Sequence, residues 1–137
     1  MNYYISKIIK TSFENAEKQT IEALKKEGFG VLTEIDIQEK LKEKLNVDFR
    51  KYKILGACNP PFAYKALQLE DKIGIMLPCN VIVQELGKNE IEVAAVDPVA
   101  SMMAVENSNL AGIAKEIKEK LERVIASLQI LKERKLL

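Results

Sequence analysis

The sequence predicts a single α+β domain over residues 1–137, a mixed or antiparallel sheet of about five strands with helices packed on it and a long C-terminal helix. Three observations predict it. A chain of 137 residues with 47% hydrophobic and 30% charged content suits one soluble domain with its own core. Segments of helical periodicity alternate with β-branched runs, and no linker or low-complexity tract divides them. Gly87-Lys88-Asn89 between two apolar runs is a hairpin signal. A hairpin requires an antiparallel pair, which argues against a doubly wound parallel sheet.

The elements follow in order. Tyr3 to Ile9 mixes aromatic and β-branched residues in the manner of a strand. Ser12 can cap a helix whose Phe13, Ala16, Ile21 and Leu24 share a face, with Gly28 just past its end. Phe29 to Ile35 is the second strand. Asp36, three residues before Glu39, starts a short helix with Ile37, Leu41 and Leu45 on one side, and Asn46 stops it. Tyr52 to Ala57 is the third strand, and residues 62–69 form a short helix with Phe62, Ala66 and Leu69 at helical spacing. After the apolar run Ile73 to Leu77, the strands Asn80 to Leu86 and Glu90 to Val96 flank the hairpin turn, and Val81-Ile82-Val83 predicts cover on both faces there. Asp97-Pro98 is a cap followed by proline at the first helical position. The stripe Leu110, Ile113, Ile117, Leu121, Val124, Leu128, Leu131 then predicts a final helix of about six turns and close to 40 Å. Its end, with Ile125, Ile130, Leu131, Leu136 and Leu137, would either overhang the body and offer itself to a partner or fray as an exposed tail.

Composition excludes several function classes. With no histidine, the chain lacks the usual general base near pH 7, every Ser-His or Cys-His dyad and the commonest zinc ligand. A net charge of +1, an acidic stretch over residues 58–114 and no tryptophan argue against nucleic acid as a partner, because that binding draws on neutralised phosphates. No run approaches the ~20 apolar residues that span a bilayer, and the N-terminus is interrupted by polar residues before any signal-like run, so the expectation is a cytoplasmic protein without a membrane partner. Two cysteines in that compartment are reduced thiols rather than a structural bridge.

The chemistry-bearing feature is a near-duplication: Cys58-Asn59-Pro60 and Pro78-Cys79-Asn80, each at an element boundary. A strand end that opens into a helix start offers unpaired backbone N–H groups and a dipole that can lower a thiol pKa. Pro60 and Pro61 remove two of those donors, which weakens an anion cradle there. Each residue also has a plainer role. Asn59 can cap the following helix, Asp36 and Asp97 can cap theirs, and Cys58 and Cys79 can be small buried apolar residues. A closed metal site needs about four ligands, so a metal held by Cys58 and Cys79 would need a second chain or carboxylates. Met76, Met102 and Met103 read as core filler. Gly28-Phe29-Gly30 follows a helix and precedes a strand, the reverse of a phosphate-binding loop.

The ordered runs Gly28 to Asp36, Ile54-Leu55-Gly56-Ala57-Cys58-Asn59-Pro60, Ile73-Gly74 with Leu77-Pro78-Cys79-Asn80-Val81, and Asp97-Pro98 resemble domain-of-unknown-function family 302 from about Tyr3 to Leu128. The resemblance implies a compact α+β domain of prokaryotic type, often oligomeric, and no particular reaction. Gly56, Asn59, Pro60, Leu77, Pro78, Asp97 and Pro98 match its broad pattern, Cys58 and Cys79 a narrower version, and Pro61 departs from it.

Together these readings predict a homodimeric domain that binds a small molecule where Cys58, Asn59, Cys79, Asn80, Asp36 and Asp97 converge. The alternatives are a thiol-dependent redox sensor or enzyme, and a metal-binding or homo-oligomeric interaction module. The residues name no cofactor.

Overall fold

A computed structural model describes residues 2–129. Strands β1 (Tyr4–Ile9), β2 (Gly30–Asp36), β3 (Tyr52–Cys58), β4 (Cys79–Gly87) and β5 (Glu90–Val96) form one sheet of order β1-β5-β4-β3-β2. All four pairings are antiparallel. The helices are α1 (Phe13–Lys26), α2 (Ile37–Leu45), α3 (Pro60–Leu69), α4 (Pro98–Ser101) and α5 (Ala111–Ala126), with 3₁₀ turns at Asp71–Met76 and Ser108–Leu110. The apolar run around Ile73 is one of these turns, and the Leu77–Pro78 peptide bond that follows is cis.

Local chemistry sets most boundaries. Ser12 Oγ accepts from the Asn15 N–H, and Asp36 Oδ1 accepts from the Glu39 N–H, so each satisfies a donor that its helix start leaves free. Gly28 ends α1 at φ +87°, and Asn46 ends α2 in the left-handed region. In the β4–β5 hairpin the positive φ falls on Asn89 rather than on a glycine, and Gly87 pairs with Glu90 after a register shift.

One face of the sheet carries the core. Leu55, Val81, Val83, Ile91 and Val93 are fully buried there under α1 and α5, whose Ala16, Leu24, Leu121 and Val124 pack against them. In α1 the buried positions include Thr20, while Ile21 is only partly covered; Thr20 Oγ1 donates to the Ala16 carbonyl 2.7 Å away, so its burial leaves no donor unsatisfied. Helix α2 buries none of its residues, and Leu45 on its predicted apolar side is exposed.

The last helix is shorter than its apolar stripe predicts: Ala111–Ala126 is 16 residues, about 24 Å. A 3₁₀ turn takes up Leu110, and Leu128 is buried beyond the helix end. Lys7 of β1 donates to the carbonyls of Ala126 and Leu128, placing a cation on the orphan acceptors that end the helix. Gln19 and Gln129 exchange two hydrogen bonds of 2.9 Å, which fixes the chain against α1. Of the predicted overhang, Ile125 is instead buried in the core, and Ile130, Leu131, Leu136 and Leu137 lie outside the described residues.

Among the described residues the other face has no helix layer comparable to that of α1 and α5. Strand alternation directs Tyr4, Ile8, Ile35, Ile54, Ile82 and Ala94 onto it, with Tyr4, Ile8 and Ile35 exposed and Ile54, Ile82 and Ala94 half-buried. Among the described residues the run Val81-Ile82-Val83 is thus covered fully on one face only.

Candidate functional site

The two Cys-Asn corners lie on adjacent strands. In the β3–β4 register Ala57 faces Cys79 and Gly56 faces Asn80, so Cys58 and Cys79 stand at the same end of the sheet, one residue out of step. Both line one apolar cavity of about 40 Å³ between that end and helices α3 and α5. Asn59 and Phe62 line it beside Cys58, and Ile113 and Ile117 line it from α5. The space exists because Ala57, Ala63, Ala66 and Ala114 present methyl groups where larger side chains would meet.

Each predicted site residue has a definite place. Cys58 is half-buried and Cys79 buried, both as free thiols. Burial, followed by the neighbouring Cys58, pushes the Cys79 thiol from its ordinary 9.0 up to about 11. Cys79 is therefore a neutral wall at pH 7 rather than a thiolate. Asn59 is buried but does not cap α3; its Nδ2 donates instead to the Glu27 carbonyl at 3.2 Å. It ties the start of α3 to the turn that ends α1.

Asp97 stands next to Pro98, which lines the cavity, but its carboxylate is turned elsewhere. One oxygen accepts from the N–H groups of Val99 and Ala100, and the other pairs with Lys118 Nζ at 3.1 Å. Asn80 and Asp36 do not join the cluster. Successive strand residues point to opposite faces, so Asn80, following the buried Cys79, is directed to the open face near Tyr4, Tyr52 and Gln84. Asp36 pairs in register with Lys53, five positions along β3 from Cys58, or roughly 17 Å away. There it caps α2. The convergence is thus of Cys58, Asn59 and Cys79, with Asp97 beside them.

The residues that complete the cavity were not legible as functional. The alanines of α3 and α5 and Phe29 look like ordinary apolar helix and strand positions, and their only sequence signal is small size on inward-facing turns. Among the described residues no group of three or more His, Cys, Asp or Glu is placed to hold a metal ion.

The family described as domain of unknown function DUF302 matches residues 5–128. The chain belongs to the DUF302 family. A crystal structure of an uncharacterized conserved DUF302 protein from Bacillus stearothermophilus is similar to it at 28% identity, with a TM-score of 0.84 over 92% of this chain and 98% of that one. No curated protein matches the chain. The match spans all five strands to within a residue and every helix of this DUF302 domain. Among the described residues no helix is long and apolar enough to cross a membrane.

Proposed function

We propose that this DUF302 domain binds a small uncharged molecule in the cavity walled by Cys58, Asn59 and Cys79. One observation carries the reading: two corners far apart in sequence register side by side and open into one apolar space. That space holds about 40 Å³, enough for a group of a few heavy atoms. Its walls offer no charged side chain and are almost wholly apolar. The cysteines serve as soft walls in this reading, because the Cys79 thiol stays protonated far above neutral pH. We place the protein in the cytoplasm, where both thiols remain reduced.

The test is nuclear magnetic resonance titration with a panel of uncharged molecules of fewer than ten heavy atoms. Binding should perturb the amides of residues 57–66 and 77–81 and should vanish in Ala63→Leu, which fills the cavity from a half-buried position. Perturbation that persists in the filled variant, or none across the panel, overturns the reading.

A second copy of the chain is the partner we propose alongside the ligand, seated on the open face of the sheet. Five strands about 4.8 Å apart and some six residues long give that face about 500 Å² before side-chain relief, close to the ~600 Å² per partner at the small end of stable interfaces. Glu92 accepts from the Gln84 amide at 2.8 Å, and the oxygen of that amide accepts from Arg50 at 2.9 Å, so one side chain links the carboxylate and the guanidinium on this face.

A further inference from the structure

The inner cavity, at about 40 Å³, is well below the roughly 300–1,000 Å³ of ordinary ligand sites. Whatever enters it must be small or must extend beyond it. A groove of about 360 Å³ lies on the far side of Met102 and Ala114, and these two residues line both spaces. The groove is floored by Val105, Leu110 and Met102, which pack as a small second core with Ala66 and Ile73 beneath α3. Met102 is half-buried and unbranched, with rotatable bonds enough to swing out of the partition. Joined, the two spaces hold about 400 Å³, inside the ordinary range.

Charge then selects the class of occupant. No lysine or arginine lines either space, and Glu106 sets a carboxylate on the rim of the groove. Such walls disfavour a carboxylate or a phosphate and suit an alkyl chain. We propose that the ligand is an uncharged medium-chain alkyl compound whose chain runs from the inner cavity past Met102 into the groove. This rests on the ligand-binding reading of the cavity and adds the substrate class to it.

The experiment uses 1-butanol, 1-hexanol, 1-octanol and octanoate as probes, followed by the amide shifts of residues 57–63 and 99–111. Affinity should rise by about fourfold per added methylene from butanol to octanol, as burial of alkyl surface dictates. Octanoate should bind more weakly than 1-octanol. Ala111→Trp, which fills the groove from an exposed position without touching the inner cavity, should abolish the dependence on chain length and leave butanol binding unchanged. Equal affinities for butanol and octanol, or octanoate binding as tightly as octanol, would overturn the alkyl proposal while leaving the cavity reading intact. Butanol binding that survives Ala63→Leu would instead remove the cavity reading itself.

Discussion

The side-chain amide of Asn59 lies 3.0 Å from the point where a β-carbon on Gly28 would stand. Gly28 also holds φ at +87°, a conformation that side chains other than glycine rarely adopt. The two facts explain one another. Helix α1 has to reverse sharply into β2, and the amide that wedges into the reversal donates to the Glu27 carbonyl from a residue that lines the cavity. Gly28→Ala should therefore lower stability by about 1–3 kcal/mol, from backbone strain and the displaced amide together. Urea unfolding checks this, with Gly30→Ala as the control, since nothing lies within 4 Å of a β-carbon there and its φ is ordinary. Equal losses in the two variants would show that the contact has no energetic weight.

The contrast between Ser12 and Asn59 shows what could be read from sequence. Ser12, Asp36 and Asp97 act on the backbone within a few residues of themselves, and each caps the helix that its position predicts. Asn59 sits in an equally good capping position, yet its amide is taken by Glu27 across the fold, a partner that no local rule supplies. Cys58 and Cys79 share a cavity because of β-sheet register, which their spelling suggested but did not determine. Asn80 was lost from that group by strand alternation: β4 begins at Cys79, so the two halves of the second Cys-Asn pair face opposite sides. The cavity walls were illegible for another reason. A void is defined by side chains that stop short, and an alanine that leaves space looks the same in sequence as one that fills it.

The Cys79 thiol predicts a signature at alkaline pH. Its pKa in the folded chain is raised, so the folded state holds a proton that the unfolded chain releases first. The associated stability is complete below about 9 and is lost progressively as pH rises toward about 11. Two pH units of difference amount to about 2–3 kcal/mol at the far end. Other groups titrate in this range too, so the measurement is the difference in urea-unfolding free energy between wild type and Cys79→Ala at each pH. That difference should shrink between pH 9 and 11; a constant difference would contradict the raised pKa. At pH 8 iodoacetamide should modify Cys58 first and reach Cys79 only on unfolding.

Gly56 makes a packing prediction at the same end of the sheet. A β-carbon there would collide with Thr33 Oγ1 and approach Pro78 Cγ to 2.9 Å. Thr33 and Pro78 thus close over the strand at the one residue that has no side chain, and Pro78 goes on to line the cavity. Gly56→Ala should destabilise the fold by about 1–3 kcal/mol through overpacking. Trimming the first neighbour with Thr33→Ala should recover part of that loss in the double variant, which a thermodynamic cycle measures. Strictly additive losses would place the strain elsewhere.

The open face of the sheet gives the last prediction. Ile82 lies on the middle strand with Ile54 beside it in register on β3 and Ala94 on β5, so it marks the centre of the apolar patch. Residues at the centre of an interface carry most of its energy, and a charge buried there without a partner is costly. Ile82→Lys should therefore shift the chain from dimer to monomer in light scattering across micromolar concentrations. The fold should tolerate the change, because Ile82 is only half-buried in the single chain, and an unaltered circular dichroism spectrum checks that. Lys88→Glu, in the exposed turn of the β4–β5 hairpin away from the patch, serves as the control and should leave the mass unchanged. A wild-type chain that is already monomeric at these concentrations, or an Ile82→Lys variant that remains dimeric, would take the second copy off this face.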